Sequence, residues 1–137
     1  MRVAARLLLL LSSFSLLGNS CSNEEVTQEW QQRERRVKDL DTGLTRLAQT
    51  IKKEVGAPTC RESAECRLVG LGAKVCGGYH DFLVYSVKTT QEQTLLPLIA
   101  EFNKLAEEQQ NFSFQVAKCG QAMGQVQCVD EGCVPVK

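Results

Sequence analysis

Three hydrophobic periodicities follow one another along the chain. Val26, Trp30, Val37, Leu40, Leu44, Leu47, Ile51 and Val55 recur at helical spacing, and from Val37 to Ile51 the steps alternate three and four. This pattern predicts a helix over residues 24–55 with a heptad seam. Glu24, Glu25 and Glu29 near its start and Lys52 and Lys53 near its end suit the helix dipole, and Gly56 and Pro58 terminate it. The seam has a gap at Arg33, and Gly43 inside it costs about 1 kcal/mol relative to Ala. At 1.5 Å per residue the segment spans roughly 48 Å. Its second half suits packing on the protein's own core, with Trp30 as a core or helix-packing residue. The sharper alternative is a coiled-coil stalk, which two heptads without matched flanking charges support weakly. The lack of cysteine and the break at Gly56-x-Pro58 predict that a chain starting near Ala57 folds without this helix.

After residue 60 the pattern changes. Arg67 to Leu71 reads as a short strand, and Gly70, Gly72, Gly77 and Gly78 as turn markers. Phe82 to Val87 is the clearest strand; both of its faces are largely apolar, which predicts a central strand covered on both sides. Thr89, Thr90, Glu92 and Gln93 have the form of a capping box ahead of the stripe Leu95, Leu98, Ile99, Phe102, Leu105 and Ala106, a helix over 92–110. Pro97 within its first turns predicts either that the regular helix starts near Thr94 or that the helix is kinked. Phe112, Phe114 and Val116 alternate with polar or small residues as in an amphipathic strand. Val126 to Val136 reads as a β-hairpin around Asp130-Glu131-Gly132. The expected fold class is α+β: a small disulfide-stapled antiparallel sheet with one packed helix, preceded by a long N-terminal helix.

The first twenty residues stand apart. Arg2 and Arg6 precede an apolar stretch from Leu7 to Leu17, followed by Gly18, Asn19 and Ser20, the layout of a secretory signal peptide. Eleven residues fall short of the roughly 20 that span a bilayer as a helix. Leu16-Leu17-Gly18-Asn19-Ser20-Cys21 resembles a bacterial lipoprotein box, which implies a lipidated Cys21; Ser22 after it implies outer-membrane sorting. The expected division is 1–20 signal peptide, 21–56 lipid-anchor segment and helix, and 57–137 cysteine-rich α+β domain.

Charge adds little. Lys plus Arg and Asp plus Glu number 16 each, and cleavage before Cys21 removes two arginines and no acid. The mature chain is then slightly acidic, with no basic field for nucleic acid or anionic lipid. Membrane attachment must come from acyl chains.

Cysteine changes the picture most. The seven are Cys21, Cys60, Cys66, Cys76, Cys119, Cys128 and Cys133. Cys21 lies at the cleavage site; assigned to lipid, it leaves an even set of six in an exported, oxidising setting, hence three disulfides. Two maps compete. In the long-range one, Cys60–Cys128 and Cys66–Cys133 clamp the 60–66 loop onto the terminal hairpin, and Cys76–Cys119 ties the Gly-rich turn. In the local one, Cys60–Cys66 and Cys128–Cys133 close short loops, since opposite hairpin positions lie at disulfide distance. A zinc reading, Cys60-x5-Cys66-x9-Cys76-x3-His80, has loose spacing and needs thiolates. Cys60-x5-Cys66, Cys76-Gly77-Gly78, Tyr85-Ser86 before a helix, Cys119 and Gln127-Cys128-Val129-Asp130-Glu131-Gly132-Cys133-Val134 together resemble a class of small cysteine-rich domains of exported bacterial (lipo)proteins. The resemblance covers about residues 60–136 and implies a scaffold without implying an activity.

Candidate chemistry is sparse. No Gly-x-Ser-x-Gly, His-Glu-x-x-His, P-loop or dinucleotide fingerprint occurs. His80 is the sole imidazole, and no Cys-x-x-Cys is present. Asp39-Leu-Asp41-Thr-Gly43 departs from a calcium loop in its glycine position and in Thr50 at position twelve. Glu107-Glu108 and Asp130-Glu131 read as solvated faces. Gly77-Gly78 suits a tight turn better than an anion cradle. Asn111-Phe112-Ser113 is a glycosylation sequon that matters only in a eukaryotic source. The expectation is a non-enzymatic bacterial envelope lipoprotein without cofactor, catalytic residue or metal. Its partners would be the membrane, through the lipid anchor, and an envelope protein. The alternative is a secreted inhibitor or effector presenting a stiff loop on a disulfide scaffold.

Overall fold

A computed structural model describes residues 23–74, 76–113 and 124–136. The expected signal peptide, Cys21, Cys119 and the alternating stretch beyond Ser113 lie outside the described residues. The elements are α1 (Asn23–Val55), a 3-10 turn (Ser63–Glu65), β1 (Cys66–Ala73), β2 (Tyr79–Ser86), α2 (Glu92–Ser113), β3 (Gln125–Val129) and β4 (Gly132–Val136). The α+β class read from sequence is the one observed. The strands form two antiparallel two-stranded sheets, β1-β2 and β3-β4, in place of one.

α1 and α2 form an antiparallel pair. Thr90 at the start of α2 donates its hydroxyl to the Val55 carbonyl, Gly43 faces Leu105, and Arg36 pairs with Glu108 near the far end. The heptad seam is used within the chain: Leu40, Ile51 and Val55 are buried. Ile51 and Val55 join Tyr85, Leu95 and Ile99 in the main core, with Val69, Leu71, Leu83, Leu98 and Phe102 around it. Against the separable-helix expectation, the second half of α1 supplies Ile51 and Val55 to this core. The expectation for Trp30 is corrected. It is 65 % exposed and lines an open groove with Phe112 in the last turn of α2.

The end of α1 and the start of α2 are stitched by side chains. Gly56 takes φ +58°, the left-handed turn that ends many helices. The Thr90 and Thr89 hydroxyls donate to the Val55 and Ala57 carbonyls at 3.1 Å each. The predicted capping box is thus absent: those hydroxyls cap the other helix, and Glu92 accepts the Tyr85 hydroxyl at 2.7 Å. Thr94 and Leu95 both donate their amides to Gln91 O, so α2 starts at Glu92 with Pro97 inside it. Phe112, expected in a strand, is in the last turn of α2.

β2 is covered on both faces, as its apolar alternation indicated, yet it is not a central strand. Leu83 and Tyr85 face the helices, and Val84 faces a second cluster made of Cys60, Cys66 and Cys133 with Val126 and Cys128. The sheet is sandwiched between a helix pair and a second hairpin. On β1, Asn103 of α2 takes two backbone groups: its side chain accepts from Gly72 N–H at 2.7 Å and donates to Gly70 O at 3.1 Å.

Candidate functional site

The second cluster is built by a turn and a hairpin from opposite ends of the cysteine-rich region. Asp130 and Glu131 both hold positive φ (50° and 61°), the conformation of a two-residue primed turn. Gly132, expected in the turn, is the first residue of β4. This turn sets Val129 opposite Gly132 and Cys128 opposite Cys133. The incoming segment bridges the hairpin between Thr59 and Gly132. Cys60 N–H donates to Glu131 O at 2.9 Å and Cys133 N–H to Pro58 O at 2.8 Å. Ser63 Oγ accepts the Cys128 N–H at 3.0 Å.

Two disulfides close the arrangement. Cys60–Cys128 spans 68 residues with Cα atoms 5.9 Å apart, and Cys66–Cys133 spans 67 with 5.5 Å. Both are the long-range clamp read from sequence rather than the local pairs. Cys76 is also disulfide-bonded; its expected partner Cys119 lies outside the described residues. Such bridges persist in oxidising compartments, so the folded protein belongs to a non-cytoplasmic setting. Among the described residues no helix is long and apolar enough to cross a membrane. The sulfurs of Cys60, Cys66 and Cys133 lie within 4.8 Å of one another, but all three are bonded to other sulfurs. Cys60, Cys66 and Cys76 of the zinc set considered from sequence are all disulfide-bonded and offer it no thiolate.

The other candidates disperse. His80 is exposed, and its Nε2 meets the Gln110 side-chain amide, which also donates to Ala73 O. The Asp39-to-Gly43 stretch is continuous α1 helix, with Thr42 and Thr50 hydroxyls donating back to Lys38 and Arg46 carbonyls, so no calcium loop forms. Glu108 is spent on Arg36. The Gly77 amide closes the turn onto Lys74 O, and Lys74 N–H bonds Gly78 O, which leaves no amide cradle there. Trp30 lines a shallow groove of about 400 Å³ with Arg33, Glu34, Val37 and Phe112.

Among the described residues, one titratable group is strongly perturbed. Burial, then the hydrogen bond to Glu92 and its negative charge, push the Tyr85 phenol up to about 12. This Tyr85–Glu92 link ties β2 to the first turn of α2 and was not legible in the sequence, where Glu92 read as a cap. No family model, curated protein or solved structure matches the chain.

Proposed function

We propose that this chain is a non-enzymatic, lipid-anchored protein of the bacterial cell envelope, whose clamped domain presents a rigid surface to an envelope partner. The observation that carries this reading is the cysteine account. All five described cysteines are disulfide-bonded, and seven is odd. Once Cys76 has its partner within the chain, one of Cys21 and Cys119 is left over. Cys21 follows an export signal and a lipoprotein-type box, which favours Cys21 as the unpaired one and lipid as its fate. α1 begins at Asn23, so its exposed first turns suit a short spacer between anchor and core. The non-enzymatic reading is supported by His80, whose described partner is the amide of Gln110 rather than a hydroxyl or thiol.

Mass spectrometry of the mature N-terminal peptide, taken from envelopes of a bacterium expressing the full precursor, tests the reading. A diacylglyceryl-modified Cys21 together with a linked Cys76–Cys119 peptide is expected. An unmodified Cys21, or a Cys21–Cys76 bridge, overturns the anchor and leaves the secreted inhibitor or effector. Cross-linking in intact envelopes then identifies the partner.

A further inference from the structure

The two clamp disulfides are close enough to react with each other. Cys60 Sγ lies within 4.8 Å of both sulfurs of the Cys66–Cys133 bridge. Cys60, Cys66 and Cys133 are 2 %, 4 % and 6 % exposed, whereas Cys128 is half-buried. Of the four, Cys128 is thus the most exposed residue.

A second pairing of the same four cysteines is also built into the hairpin. Cys128 and Cys133 are directly opposite partners. Their amides turn away from each other, to Ser63 Oγ and Pro58 O, so they occupy a non-hydrogen-bonded position of the ladder. At such a position Cα atoms lie about 4.5 Å apart, within the roughly 4.4–6.8 Å that a disulfide accepts. Cys60 and Cys66 bracket the facing turn, with their sulfurs already adjacent.

We propose that these four cysteines form a thiol-triggered disulfide switch, in which the clamp isomerises to Cys60–Cys66 and Cys128–Cys133. The trigger is an external thiolate, from a small thiol or from a thiol–disulfide oxidoreductase of the same compartment. It attacks Cys128 Sγ, forms a mixed disulfide there and expels the Cys60 thiolate. Cys60 attacks Cys66 Sγ, closes Cys60–Cys66 and expels the Cys133 thiolate. Cys133 attacks Cys128 across the hairpin, closes Cys128–Cys133 and releases the original thiolate. Two disulfides are broken and two formed; the trigger is regenerated, and no net electron or proton is consumed. The product bridges lie within the 60–66 turn and within the hairpin. Among the described residues, β3-β4 then keeps hydrogen bonds and the small cluster contacts to the rest of the fold. The switch thus sets whether the hairpin is covalently fixed to the domain.

The oxidised full chain is incubated anaerobically at mildly alkaline pH with substoichiometric glutathione, quenched by acid and mapped without reduction. Linked Cys60–Cys66 and Cys128–Cys133 peptides are expected, with no gain in total free thiol. Retention of the original map, simple loss of bridges to free thiols, a Cys60–Cys133 product, or any product joining Cys76 to the four overturns the proposal. A second arm needs no added thiol. In Cys60→Ser the freed Cys128 should displace Cys66 from Cys133, so that the Cys66–Cys133 peptide is lost and alkylation falls on Cys66. Alkylation on Cys128 with Cys66–Cys133 intact overturns it. Should that variant fail to fold, the wild-type arm alone decides.

Discussion

Replacing Ile51 by alanine tests whether α1 belongs to the folded domain. Ile51 is 2 % exposed and packs with Val55, Tyr85, Leu95 and Ile99. The substitution removes three buried carbon groups, about 2.4 kcal/mol at roughly 0.8 kcal/mol each. The helix cannot collapse into the space, because α1 is held at its end by Gly56 and by the Thr89 and Thr90 hydroxyls. A residual cavity raises the cost to about 3–4 kcal/mol, inside the usual range for such truncations. Against a total stability of roughly 5–15 kcal/mol this is a large fraction, and for a chain of this size it lowers Tm by about 10 °C. Urea unfolding of the oxidised full chain, followed by far-UV circular dichroism, reads it as a shift in midpoint at unchanged slope. Val26→Ala on the same helix, at a position 48 % exposed, is the control and should stay within about 0.5 kcal/mol. A loss below about 1 kcal/mol at Ile51, or an equal loss at Val26, would mean that α1 is an accessory stalk and that the helix pair is not the core.

Gly70→Ala should destabilise by about 1–3 kcal/mol, because a Cβ there overlaps the Tyr79 ring. Combining it with Tyr79→Ala should cost less than the sum of the two, and simple additivity in urea melts would refute the contact. The Tyr85 phenol, pushed up to about 12 mainly by burial and next by Glu92, ionises in the unfolded chain first, near pH 10. Its contribution is therefore complete below about pH 10 and is lost between pH 10 and 12. Tyr85→Phe should flatten that part of the alkaline stability curve, and parallel curves for the two proteins would sink the assignment. Glu131 holds a left-handed backbone at φ 61°, which costs a non-glycine residue about 1–2 kcal/mol. Glu131→Gly should raise the thermal midpoint, and a fall would show that the turn depends on the glutamate side chain.

Much of this fold was legible because burial leaves a period in the sequence, and the misreadings mark where that signal stops. The apolar steps from Val37 to Ile51 gave both the helix and the face it buries. The same steps reach back to Trp30, and a seam cannot announce where its partner helix ends. β2 was read as central because Leu83 and Tyr85 on one face and Val84 on the other are apolar. Periodicity reports covered faces, not paired edges, and here the faces are covered by two helices and a hairpin. Thr89, Thr90 and Glu92 have the spacing of a local cap, but all three are engaged by distant groups, the Val55 and Ala57 carbonyls and the Tyr85 hydroxyl. Sequence spacing cannot see partners 32 and 35 residues away, nor one seven residues away on a neighbouring strand. The clamp was one of two maps the sequence left open; two cysteines bracketing a turn and two bracketing a hairpin pair in parallel because the turn lies along the hairpin edge, a placement only the structure gives.

The two sides of the β1-β2 sheet are held by different physics. A two-stranded hairpin is marginal in water by itself, so each face of this sheet needs a covering layer that is itself secured. On the helix side, Ile51, Leu95 and Ile99 do this by burial, since the helix pair brings long apolar side chains. On the other side, β3 and β4 are five residues each, and Cys133 is their one buried residue. That area is too small to fix a hairpin. The covalent clamp compensates by closing loops of 68 and 67 residues, each restricting the unfolded chain by about 4 kcal/mol in the chain-entropy account. The position of β3-β4 therefore depends on redox chemistry, whereas that of the helices depends on temperature and denaturant. A reagent that acts only on sulfur should move the hairpin and leave the helix core standing.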